Sequence, residues 1–339
     1  MPNSYKVKII SPETKNKLMI EFHQEGVYER KANIHGTCVK LFTNNEQFKE
    51  MWEENFNPMP EDIRPHARIF CMGDGGKLNV LYEPLSKTVI LKNCDYYGWL
   101  KSIALALVAD FFEDFFSEHR RYSIHGSFID YGNGGLGIIG PSGSGKTTLT
   151  YGLLLDKKCS FLTDDWFFVR LGKTNIPTYS AERNSYIRND LAKAWPRFAD
   201  KLTGIKLDNK DRAIVDVRRF FGSDRVKQES NLQTIVLLTR ERSQVGLLVE
   251  QFPRTQSSVA SRQLNKGKPP MKKLSAKEAL EFMIKNDFCN PHQLVRSKKK
   301  LEMRKEFFQE LFSRVPVYLL NTIETPKQSL ERLKRLVEN

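Results

Sequence analysis

The stretch Gly140-Pro141-Ser142-Gly143-Ser144-Gly145-Lys146-Thr147 decides the fold of this chain. It has the phosphate-loop spacing Gly-x-x-x-x-Gly-Lys-Ser/Thr, with a strand-like run before it and a helical pattern after it. Glycines let backbone N–H groups face phosphate oxygens, the lysine reaches the β- and γ-phosphates, and the threonine hydroxyl suits Mg2+. We therefore expect ATP and Mg2+ as cofactors, with nucleotide contacts from Gly140, Ser142, Gly143, Ser144, Gly145, Lys146, Thr147 and Thr148.

Two adjacent carboxylates, Asp164 and Asp165, follow an apolar run 18 residues after Lys146. In phosphate-loop enzymes a carboxylate at the end of a strand holds Mg2+, and a second one accepts the proton of the attacking hydroxyl. A surface turn or a helix cap is the plainer interpretation, because Asp is common at both. The position after a strand favours catalysis, with Thr147 and Asp165 as metal residues, although the pattern leaves open which aspartate is the base.

The elements around the loop indicate an α/β fold, because strands and helices are mixed along the chain. We predict one strand over 122–131, a tight turn at 132–135 and a second strand over 136–139. Further strands are expected at 159–162, 213–217, 234–238, 246–250 and 315–320, and helices at 146–155, 275–285, 297–313 and 326–338.

Residues 1–118 carry no nucleotide motif and predict an α+β accessory domain, which leaves 119–339 as the phosphate-loop domain. Strands are expected at 7–9, 18–22, 39–41, 67–72, 78–82 and 88–91, and helices at 46–56 and 96–118. The last helix is strongly apolar, but its uncharged stretch is too short to span a bilayer, so we predict that it is buried. Four charged residues interrupt it. These are Lys101, Asp110, Glu113 and Asp114.

The net charge of +14 is unevenly distributed: residues 1–118 carry a net charge of −3, and residues 119–339 therefore carry +17. A positive field of this kind concentrates anionic ligands such as nucleotides, acidic proteins or nucleic acid, although a lysine-rich surface alone gives the same count. The five cysteines are widely spaced, which argues against a disulfide framework or a zinc site and favours a cytoplasmic location.

A wider pattern resembles the HPr kinase/phosphorylase family, which is related to the ATP-dependent phosphoenolpyruvate carboxykinases. It consists of Ser123-Ile124-His125-Gly126 ahead of a hairpin, the phosphate loop, Thr163-Asp164-Asp165, and Arg212-Ala213-Ile214-Val215-Asp216-Val217 followed by Phe220-Phe221-Gly222. His125 lies 21 residues before Lys146, as in the family. The resemblance covers about residues 120–240 and implies a kinase domain of the HPr kinase/carboxykinase type behind an N-terminal α+β domain.

The resemblance also implies roles for single residues. His125 would lie beside the transferring phosphoryl group, and Arg212 would contact it. Asp164 or Asp165 would be the base, and the other a carboxylate linked to the metal. A histidine in the core and an arginine on the surface are the alternative interpretations of the first two.

Two departures limit what carries over from the family. Its Pro-Gly-Arg-Asn type loop is not evident; instead, Phe252 to Ser275 has no acidic residue and holds Arg254, Arg262, Lys266, Lys268, Lys272 and Lys273. We expect this basic loop to be exposed and mobile in the free protein. Because the family loop is missing, it stays open whether a phosphorylase activity exists. Trp166 follows the aspartates where the carboxykinases have an acidic residue, which argues against decarboxylation.

Three functions compete on this evidence. The favoured one is a kinase that transfers the γ-phosphoryl group to a hydroxyl acceptor, either Ser/Thr of a protein or peptide or a small molecule. A nucleic-acid-directed kinase would use the basic half to hold phosphates, but the sequence shows no evident RNA-binding module. A non-catalytic nucleotide switch is the third. The acceptor, the use of another donor and a homo-oligomeric state stay open.

Overall fold

The computed structural model describes residues 5–23, 27–73, 75–208, 210–240, 271–288 and 294–338. The described chain is mixed α/β, as the sequence predicts, with a seven-stranded sheet, a nine-stranded sheet and a two-stranded ribbon. Strands from the first 92 residues form the smaller sheet. Later strands form the larger sheet, which carries the phosphate loop.

The seven-stranded sheet is mixed, in the order β1-β6-β7-β5-β3-β2-β4. Its strands are β1 (Val7–Ile9), β2 (Tyr28–Ile34), β3 (Thr37–Thr43), β4 (Asn57–Pro58), β5 (Ala67–Cys71), β6 (Asn79–Glu83) and β7 (Thr88–Lys92). The helices of this half are α1 (Pro12–His23), α2 (Glu46–Asn55), α3 (Tyr97–Asp114) and α4 (Phe116–His119).

The strand predicted at 18–22 is wrong, because these residues lie in α1. Pro12 stands at the first helical position, where its missing N–H costs nothing, and Glu13 in the first turn favours the helix start. Leu18 and Phe22, one helical turn apart, are partly and fully buried, whereas Ile20 is 63% exposed. A three-residue alternation was too short to separate the two periods.

Helix α3 lies in the main apolar cluster, which crosses the predicted boundary at 118. Leu100, Ile103 and Leu107 pack there together with Trp166 and Phe168 of the second half. The predicted burial of this helix is confirmed. The division into domains at 118 stays a prediction.

The nine-stranded sheet branches at its longest strand. That strand pairs with one neighbour at its first residues and with two others further on, giving the path β11-β9-β10-β16-β13-β12-β8, with β18 beside β16 and β17 beside β18. The strands are β8 (Arg121–His125), β9 (Ser127–Asp130), β10 (Gly135–Ile139), β11 (Ser160–Thr163), β12 (Trp166–Arg170), β13 (Pro177–Ser180), β16 (Glu229–Thr239), β17 (Met271–Leu274) and β18 (Val317–Asn321). The ribbon is β14 (Ser185–Arg188) with β15 (Arg212–Val215).

The single strand predicted over 122–131 is wrong: the chain makes two strands, β8 and β9, in different branches of the sheet. The break falls at Gly126, where a Cβ atom would lie 2.6 Å from the carbonyl oxygen of Ile138. No side chain tolerates that approach, so glycine is required where the chain passes from one branch to the other.

Helices cover both faces of the larger sheet. They are α5 (Lys146–Leu153), α6 (Leu191–Ala194), α7 (Ala199–Leu202), α8 (Val217–Phe221), α9 (Ala276–Lys285), α10 (Lys298–Arg314) and α11 (Pro326–Glu338). Leu149 of α5 and Leu333 of α11 pack on one face beside Ile138. Met283 of α9 and Phe308 of α10 pack on the other beside Ile139. None of the helices in the described ranges is both long and apolar enough to cross a bilayer.

The remaining differences lie near the basic loop and the ribbon. The predicted strand 246–250 and most of the loop 252–275 fall outside the described residues. The last loop residues, 271–274, are β17, which pairs with β18, so the prediction of a loop is wrong there, although Lys272 and Lys273 are exposed as expected. The strand predicted over 213–217 ends at 215, because Asp216 caps α8 by accepting from the Arg218 N–H.

Candidate active site

The phosphate loop leaves the carboxyl end of β10, an inner strand between β9 and β16. Gly143 and Gly145 have φ of 78° and 98°, in the left-handed region that only glycine enters freely. Gly145 is the residue from which α5 starts, so the loop opens directly into a helix N-terminus. The hydroxyl of Thr322, the residue after β18, donates to the Ser144 carbonyl at 2.8 Å and so holds the loop at the end of that strand.

Two side chains of the loop, those of Lys146 and Ser144, are suited to bind phosphate. The Lys146 ammonium turns back on its own loop and donates to the carbonyls of Gly140 at 2.7 Å and Pro141 at 3.3 Å. Burial lowers the pKa of Lys146, and the nearby Asp165 and Asp164 only partly oppose this. The buried Ser144 hydroxyl has no hydrogen-bond partner within the described ranges. These residues therefore fit the phosphates of ATP.

The first turn of α5 presents the other predicted nucleotide and metal contacts. Thr147 and Thr148 are partly exposed, and Ser142 is exposed, so their hydroxyls are accessible. Trp195 donates its indole N–H to the Thr148 carbonyl at 2.7 Å, and Thr150 donates to the Ser127 hydroxyl at 2.7 Å. The helix start is therefore fixed on both sides while its hydroxyl face stays open.

Asp164 and Asp165 lie where the chain crosses from β11 to β12, beside the crossing at Gly126. The Gly126 N–H donates to the Asp165 carbonyl at 2.8 Å, which joins the two crossings. His125 stands opposite Trp166 in the β8–β12 register, and its Nδ1 lies 3.4 Å from Asp165 Oδ1. The structure thus brings His125 next to Asp165. The catalytic roles expected of these residues stay predictions.

The two carboxylates differ in charge state. Burial, followed by the charge of Asp165, raises the pKa of Asp164 to about 7 despite the opposing Lys101. Burial acts in the same direction on Asp165, but Lys101 and then His125 hold its pKa far below the usual range. Asp165 is therefore a permanent anion, whereas Asp164 exchanges a proton near neutral pH, as a general base must. The ionised Asp165 and the accessible Thr147 hydroxyl are suitable oxygen ligands for Mg2+.

Sequence reasoning missed two residues of this site, Lys101 and Glu182. The Lys101 ammonium, in α3, lies 2.6 Å from Asp165 Oδ2 and 2.7 Å from Glu182 Oε1. Glu182 also accepts from the Asn55 amide at 2.9 Å. Lys101 and Glu182 are 2% and 4% exposed at their side chains. The available signal was a lysine inside a strongly apolar helix, because such a residue needs a buried partner.

Arg212 lies further along the ribbon, in β15. Its guanidinium is 5.4 Å from the centre of the Tyr186 ring, and the Lys101 ammonium lies 5.7 Å from the same ring. Arg212 is therefore separated from Lys101 by one aromatic side chain. Its predicted contact with the transferring phosphoryl group stays a prediction.

Comparison with known proteins gives little. No protein-family model and no curated protein matches the chain. Among solved structures, the chain is similar to the HPr(Ser) kinase/phosphatase from Coxiella burnetii, with 18% identity and a TM-score of 0.33 over 64% of this chain and 97% of that one. A score this low supports no statement about fold or function, so the proposals below depend on the residues described above.

Proposed function

We propose that this protein is an ATP-dependent phosphotransferase that passes the γ-phosphoryl group to a hydroxyl acceptor. The observation that carries the proposal is the juxtaposition of a phosphate loop with two carboxylates of opposite pKa shift. The charges of Asp165 and Asp164 both act to raise the pKa of Lys146, so the phosphate-binding and carboxylate groups form one electrostatic site.

The roles follow from charge and position. Lys146 and the N–H groups of the loop hold the phosphates, and Asp164 accepts the proton of the acceptor hydroxyl. The hydroxyl oxygen then bonds to the γ-phosphorus, and the bond to the bridging oxygen breaks, releasing ADP. Mg2+, when bound by Thr147 and Asp165, supplies charge neutralisation at the phosphates. His125 stays beside Asp165, at the side of the transferring group.

The acceptor belongs to a broad class: Ser or Thr of a protein or peptide, or a small-molecule hydroxyl. The net charge of +17 on residues 119–339 favours an acceptor that is itself anionic. A nucleic acid end is the less favoured member of that class. The proposal places the protein in the cytoplasm, with the oligomeric state left open.

Lys146→Ala tests the nucleotide site. The variant should lose most of its MgATP affinity in calorimetry, because it lacks the main point charge on the β/γ oxygens. Lys158→Ala, an exposed lysine in the turn after α5, is the matched control and should bind as wild type does. Unchanged affinity in Lys146→Ala would overturn the assignment of the loop.

Transfer is tested with γ-labelled ATP in a whole-cell extract. Wild type should label an acceptor in acid-stable form, and Lys146→Ala should not. ATP binding with no turnover over a wide range of acceptors would instead support a nucleotide-dependent switch.

A further inference from the structure

We propose that Lys101 is a positioning residue of the phosphotransfer site: its ammonium clamps the carboxylates of Asp165 and Glu182 and fixes the orientation of Asp165. The inference deepens the proposed function and rests on it, because Lys101 can serve phosphotransfer only if the site carries out that reaction. It also assigns a role to the segment before residue 118, where the sequence shows no nucleotide motif.

The Lys101 ammonium bonds the carboxylates of two different residues, Asp165 at 2.6 Å and Glu182 at 2.7 Å. Its side chain is 2% exposed, so water cannot replace either bond. A charge-assisted hydrogen bond in such a place is strong and directional, which restricts the Asp165 side chain to one orientation.

Lys101 is itself held in place by the packing around its helix. Lys101 lies within α3, whose neighbouring residues Leu100 and Ile103 are fully buried in the main apolar cluster. Glu182 is held in turn by the Asn55 amide at the end of α2. Helices α2 and α3 thus fix the clamp from a rigid core, which is the support that a catalytic carboxylate requires.

Lys101 also offsets part of the negative charge of the site. Asp164, Asp165 and Glu182 are three carboxylates in one buried region, and Lys101 is the cation in direct contact with two of them. Without it, Glu182 would repel Asp165, and the cluster would attract a divalent cation more strongly than before. Loss of the Lys101 charge should therefore tighten divalent-cation binding, whereas loss of the Asp165 orientation should slow transfer.

The experiment compares Lys101→Met, Lys101→Arg and the control Arg304→Met. Arg304, on α10, is also a buried cation paired with a carboxylate of α3, since it contacts Glu113 and both side chains are 3% exposed. That pair belongs to a different cluster from Asp165. All variants are assayed at temperatures where thermal melts show them folded.

Two readouts are used. The first is ATP hydrolysis with Mg2+, in which water takes the place of the acceptor and phosphate and ADP are released, so no acceptor needs to be known. The second is Mn2+ binding without nucleotide, followed by electron paramagnetic resonance at alkaline pH, where the carboxylates are ionised.

In Lys101→Met, kcat should fall by at least about tenfold with the KM for ATP unchanged, because Asp165 loses its orientation while the phosphate loop is intact. Mn2+ should bind more tightly. Lys101→Arg should recover much of the rate, and Arg304→Met should melt earlier but keep both kcat and Mn2+ affinity.

A folded Lys101→Met with wild-type kcat, or with weaker Mn2+ binding, would overturn the positioning role and leave Lys101 as a structural ion pair. If wild type shows neither MgATP binding nor hydrolysis, the proposed function fails instead. The Mn2+ comparison then still tests whether the Lys101 charge acts on the carboxylates.

Discussion

Asp164 and Asp165 are adjacent in the chain, yet their surroundings shift their acidities in opposite directions. Burial acts to raise the pKa of both carboxyls and prevails at Asp164, whereas at Asp165 the charges of Lys101 and His125 together outweigh it. One aspartate therefore releases its proton near neutral pH and the other stays ionised. The pair thus provides the two states, proton acceptor and permanent anion, that phosphoryl transfer beside a metal requires.

Replacing either aspartate should stop catalysis without unfolding the protein. Asp164→Asn and Asp165→Asn should each reduce turnover by at least about a hundredfold, the usual order for loss of a general base or a metal carboxylate. ATP hydrolysis and labelled transfer measure this, with circular dichroism to verify the fold. Near wild-type rates in both variants would make the pair a structural turn.

Stability against pH separates the two aspartates. The pKa of Asp164 is about 7 in the folded state against 3.8 in the unfolded state, so its contribution to stability is lost as pH rises through that window. Asp164→Asn should therefore gain on wild type between pH 4 and pH 8, by up to about 4 kcal/mol. The pKa of Asp165 is lowered, so the Asp165→Asn difference should run the opposite way and lie below about pH 4, where the unfolded carboxyl takes up its proton first. Denaturant melts of wild type and the two variants over both pH ranges, with EDTA present, measure both stability differences.

At the scale of elements, the hairpin turn between β2 and β3 touches the larger sheet. His35 and Gly36 form a two-residue turn with φ of 50° and 81°, which is the geometry of a type I′ hairpin. The His35 ring stacks on Phe168 at 4.8 Å and packs at 4.7 Å from Tyr179. Its Nε2 finds no hydrogen-bond partner in the part of the chain that the structure describes.

His35 should make the protein sensitive to acid. Burial, then the charges of Arg121 and His119, lower the pKa of His35 to about 3 from its usual 6.5. The unfolded state therefore binds the proton first, and stability falls as pH drops below 6.5. His35→Asn keeps a residue that tolerates positive φ and removes the titration. Between pH 7 and pH 4 the variant should lose less stability than wild type, by on the order of 1–3 kcal/mol.

Urea melts at the two pH values measure this difference. His66→Asn is a control, because it replaces a histidine of the same half that lies outside the turn. An equal loss in His35→Asn and wild type would show that the ring is protonated in the folded protein.

The sequence predicts the elements whose signals are local and misses those that depend on distant residues. The phosphate loop, α2, α3 and α11 follow from spacing and periodicity alone. The strand predicted over 122–131 is broken by contact of Gly126 with Ile138, which no local pattern reveals. β12 and β14 lack a clear period, because four consecutive residues of β12 and three of β14 are buried and leave no alternation to detect.

The same distinction holds for the site. His125, Lys146, Asp164 and Asp165 carry motif spacing, and the structure brings His125 to Asp165. Lys101 and Glu182 meet across 81 residues, and neither stands in a motif. Their role depends on the packing of α3, so only the folded chain could show it.

At the scale of the whole molecule, polar contacts join the segment 1–118 to the rest. Lys300 of α10 lies 2.8 Å from Asp114, and Arg304 pairs with Glu113. The Asn184 amide donates to the Glu54 carbonyl at 2.7 Å. Together with the shared apolar cluster around α3, these contacts bury charge that would be unpaired in either half alone.

We therefore expect that residues 119–339 do not fold independently, although the sequence suggests a division at 118. A fragment starting at 119 would expose Trp166 and Phe168, which are buried against α3, and would leave Arg304 and Glu182 without their cationic or anionic partners in the first half. Exposed aromatics and unpaired buried charges favour a loosely packed state. The fragment should bind a hydrophobic dye, melt without a sharp transition and lack MgATP affinity.

Coexpression supplies the control for this experiment. If the fragment fails only because it lacks α3 and its neighbours, adding residues 1–118 as a separate chain should restore a cooperative melt and nucleotide binding. A second fragment starting at 95, which retains α3, should recover part of the stability, because it restores Lys101, Glu113 and the apolar face of that helix. A fragment 119–339 that melts cooperatively and binds MgATP would instead place a true domain boundary at 118, and it would reduce the contacts of Lys101 to an interface between two independent units.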